Sequence, residues 1–316
     1  MALLKLKRIR KQRTVVSSLL LIAIVLVMGS FRKNEETEGR VRNLSIDGQM
    51  EIHSTNGNAG APVIKTFFQP LHTDGDFDMK QNEMLTLWAE EWNMAGFQTQ
   101  ILTLENARIH PYFEEMKKVV EEKLPGDPYN HYCFYRYLAM ATSGGGWHVD
   151  YDTMPSNFPL ELAQILPYHG AFVSYHGPVP ALISASEEEW TRIGQLITEQ
   201  THKTSNPHPS DMNMIKDLLQ ENEGIHDIIF KPASANYVVK PPFILNSKEE
   251  VNCDLMQFAL VTHFSHYGME LLFKENKFPI AIENPNEQGT RERGIKKIQD
   301  MFREQCRPIP STFRTG

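Results

Sequence analysis

Arg136-Tyr137-Leu138-Ala139-Met140-Ala141, then Gly144-Gly145-Gly146-Trp147-His148-Val149-Asp150-Tyr151-Asp152, is the stretch on which the reading of this chain turns. Asp127-Pro128 is a helix-opening pair, and the apolar residues after it, Leu138 and Met140 among them, predict a helix from about Tyr129 to Ala141. Three consecutive glycines then end it, because glycine lets the chain turn tightly and lets a ligand approach the backbone. Trp147 to Tyr151 follows as a short strand running into an acidic pair.

Carboxylates one residue apart at a strand end can face one ion where the backbone bends. Asp150 and Asp152 are therefore candidate metal ligands. Hard divalent cations take oxygen ligands and bridge carboxylate to phosphate, where they act as Lewis acids on a departing diphosphate. An isolated Asp-x-Asp is usually a solvated turn. Here the arginine-bearing helix, the glycine turn and the apolar strand make it a functional address.

Working outward, Pro62 to Phe68 is β-branched and aromatic and reads as a first strand. Asn82 to Met94 has helical spacing through Met84, Leu85, Leu87, Trp88 and Trp92, and breaks at Gly96. Gln98 to Leu104 reads as a second strand, followed by a helix through Phe113, Met116, Val119 and Val120. This alternation predicts an α/β layer, largely parallel over this stretch, within a mixed central sheet flanked by helices. Further on, strands are expected at 171–175, 181–185, 227–231, 237–240 and 258–263, and helices at 187–200, 211–220 and 291–306. Neither an internal repeat nor a second hydrophobic unit with its own linker is present, so residues 62–316 read as one domain.

The N-terminal end differs in character. Lys5, Lys7, Arg8, Arg10, Lys11 and Arg13 form a basic tail over residues 1–13, and Thr14 to Phe31 carries no charge. That length, with the basic flank kept cytosolic, predicts a single-pass type II anchor with the bulk of the chain lumenal. A cleaved signal peptide ending near Gly29-Ser30 is the competing reading. Residues 32–61 are polar and aperiodic, a flexible stem containing the sequon Asn43-Leu44-Ser45. The expected location is the Golgi or ER membrane.

Composition narrows the function. The net charge of −7 over 316 residues argues against a nucleic-acid binder, which needs an excess of Lys and Arg. Cys133, Cys253 and Cys306 allow at most one intrachain disulfide and one leftover thiol, with no CxxC metal site.

The central stretch resembles the glycosyltransferases with DXD motifs that include the yeast-type initiating α-mannosyltransferases (glycosyltransferase family 32-like) and the sugar-binding region of clostridial glucosylating toxins. Their pattern is a helix with Asp-x-x-Arg-Tyr, a Gly-Gly turn and a strand ending in Asp-x-Asp. Arg136-Tyr137, Gly145-Gly146 and Asp150-Tyr151-Asp152 match it, and Lys65-Thr66-Phe67-Phe68-Gln69 resembles the family's first strand, which Gln69 closes near the nucleotide. The likeness covers about Val63 to Pro155.

It implies a GT-A-like fold and a nucleotide diphosphate sugar as donor. Mn²⁺ or Mg²⁺ would be the cofactor, a glycan or glycoprotein the acceptor, and the anomeric configuration would be retained. Asp152 would bind the metal directly. Asp150 would meet the donor sugar, its ribose or the metal through water, with Tyr151 in the same donor-binding segment. Arg136 would meet the donor sugar or diphosphate, for which a guanidinium fork is suited. Such enzymes often add a C-terminal metal ligand, commonly His, and His263 and His266 are the candidates. Asp211 is read as a helix cap, or else as a residue orienting the sugar or the acceptor.

One departure matters: where the family carries Asp, this chain has Cys133, a poor acceptor. It raises a second reading, a non-catalytic lumenal sugar-nucleotide-binding or scaffold protein on the same fold. A metal-dependent hydrolase using Asp150, Asp152, His263 and His266 ranks last, because the His-x-Asp and His-Glu-x-x-His spacings are missing.

Overall fold

The computed structural model describes residues 60–71, 75–221, 228–230, 237–241, 243–245, 250–274 and 290–306, with the backbone alone at 75–81, 219–221, 228–230, 273–274 and 290. The basic tail, the anchor at 14–31 and the stem up to residue 59 lie outside the described residues, as do 307–316. Among those described, no helix is long and apolar enough to cross a membrane.

The strands are β1 (Val63–Phe67), β2 (Gln98–Leu102), β3 (Gly146–Val149), β4 (Thr153–Pro155), β5 (Phe172–Pro178), β6 (Leu182–Ala185), β7 (Ile228–Phe230), β8 (Val238–Val239) and β9 (Val261–His263). The helices are α1 (Gly75–Met94), α2 (Leu104–Arg108), α3 (Phe113–Lys123), α4 (Pro128–Thr142), α5 (Leu160–Ala163), α6 (Glu187–Lys203), α7 (Asp211–Glu221), α8 (Cys253–Phe258), α9 (His266–Lys274) and α10 (Thr290–Gln305). A six-stranded sheet runs β2-β1-β3-β6-β5-β7, and a three-stranded sheet runs β4-β9-β8.

The large sheet is mixed. β1 pairs parallel with β2 and β3, and β5 parallel with β7. β6 is antiparallel to both β3 and β5. The expected mixed central sheet is present, and β6 is the strand that reverses direction. β5 and β6 are joined by a connection far too short for the crossover that parallel neighbours need. Some boundaries shift. The expected strand 147–151 stops at Val149, because the chain turns at Tyr151-Asp152. Phe258 ends α8 rather than starting a strand. The short elements β4, α2, α5, α8 and α9 have too few residues for a periodic signal.

Period-two alternation sends neighbouring side chains to opposite faces of the large sheet. Ile64, Trp147, Val149, Val173 and Leu182 join Trp88 and Trp92 of α1 in one apolar cluster. Phe67, Phe172, Ile183 and Ala185 join Phe134, Tyr137 and Leu138 of α4 and Trp190 of α6 in the other. Trp88, Trp92 and Trp190 are fully buried, and truncating any one to Ala should cost about 3–5 kcal/mol.

α4 starts where Asp127 accepts a hydrogen bond from the Asn130 N–H at 3.2 Å, with Pro128 in the first turn. It ends in Gly144, Gly145 and Gly146, all at positive φ. A Cβ at Gly145 would stand 2.5 Å from the backbone nitrogen of Glu187, so no side chain fits. Lys65 Nζ bolts this turn to β1, donating to the carbonyls of Ser143 at 2.6 Å and Gly145 at 2.7 Å. In the C-terminal part, a disulfide joins Cys253, the first residue of α8, to Cys306 just beyond α10. Such a cross-link stabilises by about 2–4 kcal/mol.

Candidate functional site

Asp150, Tyr151 and Asp152 link the two sheets, since β3 ends at Val149 and β4 begins at Thr153. The link is a tight turn: Thr153 N–H donates to the Asp150 carbonyl at 2.9 Å, and Asp150 N–H donates to the Ala181 carbonyl at 3.1 Å. This bend cancels the alternation of a straight strand, so both carboxylates can face one point. The antiparallel register of β4 and β9 sets Thr153 opposite His263, and Phe264 N–H donates to the Asp152 carbonyl at 2.8 Å. That pairing carries a histidine from more than a hundred residues away to the acidic pair.

Asp150, Asp152 and His263 each present a ligand atom, all within 4.8 Å of one another. His263 Nε2 lies 3.3 Å from Asp152 Oδ1, while Nδ1 is buried with no hydrogen-bond partner among the described residues. Two carboxylate oxygens and an imidazole suit Mn²⁺ better than Mg²⁺, which prefers oxygen alone. The donor set therefore fits a divalent transition ion. His266, the other sequence candidate, stands exposed at the start of α9 and is not in this group.

Two guanidiniums flank the carboxylates. Arg136 is buried; its Nη1 donates to Asp150 Oδ1 at 3.1 Å, its Nη2 to Asp211 Oδ2 at 2.6 Å, and its Nε to the Cys133 carbonyl at 2.9 Å. Tyr137 hydroxyl also donates to Asp211, at 3.3 Å. Asp211 is thus the buried counter-ion of Arg136. The helix cap is its neighbour Ser210, whose Oγ accepts from the Asn213 N–H at 3.2 Å. Nothing local to Ser210-Asp211 signals a partner on α4, so the sequence alone could not find the pair. Arg291, on α10, also escaped the sequence reading. Its Nη2 donates to Asp152 Oδ2 and to the Phe264 carbonyl, the latter at 2.7 Å. It looked like one more charge on a solvated helix.

The electrostatics separate the two carboxylates. Burial pushes Asp150 up to about 6, assisted by repulsion from Asp152 and resisted by Arg136. Burial opposes ionisation of Asp152 too, but His263 and Arg291 overcome it and hold the group well below the usual carboxylate range. Burial would lower His263, yet Asp152 raises it. His176, from β5, meets His263 edge-on with ring centroids 5.5 Å apart, and burial presses it down to about 4.

The remaining candidates border this group. Tyr151 packs edge-on against Phe68 at 5.7 Å, and its hydroxyl is pushed up to about 12, by burial and then by Asp152. Gln69 accepts from the Leu104 N–H at 3.1 Å, tying the ends of β1 and β2 together. The Cys133 thiol is raised to about 12, mainly by burial, which disfavours the thiolate.

No protein family matches the chain, and no curated protein matches it. Among solved structures, it is similar to a glycosyltransferase involved in glycosylation of the major capsid of PBCV-1, at 13% identity and a TM-score of 0.31, covering 64% of this chain and 92% of that one. It is also similar to the apo form of the glycosyltransferase GlyE of Streptococcus pneumoniae TIGR4, at 13% identity and a TM-score of 0.36, over 78% of this chain and 63% of that one. A second GlyE structure gives 9% identity and a TM-score of 0.29, over 54% and 45%. Overlaps this slight carry no inference, and the reading of the site rests on its own geometry.

Proposed function

We propose that this chain is a metal-dependent, GT-A-like glycosyltransferase that moves a hexose from a nucleotide diphosphate sugar to a hydroxyl of a glycan or glycoprotein, with retention. One observation carries the reading: the acidic pair behind the glycine turn converges with an imidazole from another strand, with a buried guanidinium alongside. Asp150, Asp152 and His263 would hold the ion, which when bound supplies Lewis acidity toward the leaving diphosphate. Arg136 brings a fixed positive charge to the same corner and costs no reorganisation when negative charge develops there. By the resemblance Asp150 and Tyr151 would meet the donor, and Gln69 ties the neighbouring strand ends together.

Cys133 leaves the pairing of Arg136 intact. Arg136 takes the Cys133 backbone carbonyl, and its buried carboxylate partner is Asp211. That observation favours the catalytic reading over a scaffold. The Cys253–Cys306 disulfide suits an oxidising compartment, which supports a lumenal domain anchored in the Golgi or ER membrane through residues 14–31.

Asp152→Asn tests the reading, because it halves the anionic grip while keeping the shape. Sugar transfer or donor hydrolysis by the full-length protein in Mn²⁺, screened over nucleotide sugars, should fall by about three orders of magnitude or more. Full activity in that variant, or none in the native chain with any donor, would remove the proposal.

A further inference from the structure

Arg291 is a long guanidinium side chain brought to the acidic corner by a helix that the disulfide ties back to α8. Both oxygens of Asp152 are engaged, Oδ1 by His263 and Oδ2 by Arg291. A divalent ion in the Asp150, Asp152 and His263 group draws on the same carboxylate that holds this guanidinium. Two cations on one carboxylate repel each other, and a desolvated corner screens that repulsion poorly.

Charge balance shows what relieves it. Asp150, Asp152 and Asp211 against Arg136 and Arg291 leave the corner one unit negative when His263 offers an ion its neutral imidazole. A divalent ion makes it one unit positive, and only an anionic ligand restores the balance. Arg291 has somewhere to stay meanwhile. Its Nε and Nη2 both donate to the Phe264 carbonyl, at 3.3 and 2.7 Å, an anchor independent of Asp152.

We infer that Arg291 is a substrate-binding residue that rests on Asp152 and turns to the diphosphate once the ion is in place, making ion and ligand mutually dependent. The inference rests on the metal-dependent reading above and adds to it the residue through which ion and ligand are coupled. Two opposite effects follow from one side chain. Without a nucleotide, Arg291 competes with the ion for Asp152; with both present, it holds the phosphate oxygens in the bidentate manner suited to guanidinium. Because coupling is reciprocal, the diphosphate must tighten ion binding by the same factor that the ion tightens diphosphate binding.

The test uses the full-length protein, Mn²⁺ titrated by electron paramagnetic resonance, and UDP and GDP titrated by calorimetry at saturating Mn²⁺. Arg291→Gln should bind Mn²⁺ alone roughly 3- to 10-fold more tightly, since a competing charge is gone. It should bind UDP or GDP about 10- to 100-fold more weakly, the loss expected for hydrogen bonds to a charged group. Arg291→Lys keeps the charge without the fork, so its Mn²⁺ affinity should stay native while nucleotide affinity still falls. A support role would make Arg291→Gln bind Mn²⁺ more weakly, and that result, or unchanged nucleotide affinity in either variant, overturns the inference. If the native chain binds neither Mn²⁺ nor either nucleotide, the proposed function itself falls.

Discussion

The two arginines of the acidic corner are held in opposite ways. On the α4 side, Arg136 is buried and locked by Asp150, Asp211 and a backbone carbonyl of its own helix. On the α10 side, Arg291 is partly exposed and holds one carboxylate and one carbonyl. The first is framework: its charge cannot leave without stranding a buried carboxylate. The second is a side chain at an edge, free to exchange one anion for another. Fixed charge orients a site, and adjustable charge responds to what enters it.

The largest expected effect separates the two. Arg136→Met should destabilise the fold by about 3–5 kcal/mol in urea unfolding, because Asp211 would remain buried without its partner. Arg291→Gln should cost less, about 1–3 kcal/mol, since the Asp152 carboxylate it leaves keeps His263. Equal losses for the two would break the contrast. Next in size, Cys253→Ser should cost about 2–4 kcal/mol, and it should also loosen α10, so that nucleotide binding at saturating Mn²⁺ weakens alongside stability. If stability falls but nucleotide affinity does not, α10 positions Arg291 without help from the disulfide.

The smallest effect lies at Cys133. With its thiol raised to about 12, little thiolate is present at pH 8, and labelling rises with pH below that value. Iodoacetamide should therefore label the folded protein far more slowly than the urea-unfolded chain at pH 8. Rapid labelling in the folded state would show a low-pKa thiol and reopen the role of Cys133. Substituting Cys133→Ala should leave Arg136 in place, because the contact runs through a carbonyl that alanine also has.

The acidic pair, the glycine turn, the arginine helix and the first two strands were legible in the chain because each is encoded within a few consecutive residues. The spacing of Met84, Leu85, Leu87, Trp88 and Trp92 marks α1, Asp127-Pro128 opens α4, and three glycines at positive φ mark the turn between α4 and β3. The order of the strands was not legible. It depends on β6 slotting between β3 and β5, a choice of partner that no local pattern records. Short elements such as β4 and α8 carry too few residues to show a period.

The same division runs through the site. Asp150 and Asp152 follow from local spacing, and their chemistry from residue type. His263 instead of His266, Asp211 as a counter-ion and Arg291 as a neighbour follow from strand register and helix packing over long separations. Side-chain chemistry is local, but convergence is not: three donors meet within 4.8 Å only because a tight turn joins two sheets and β9 pairs across it.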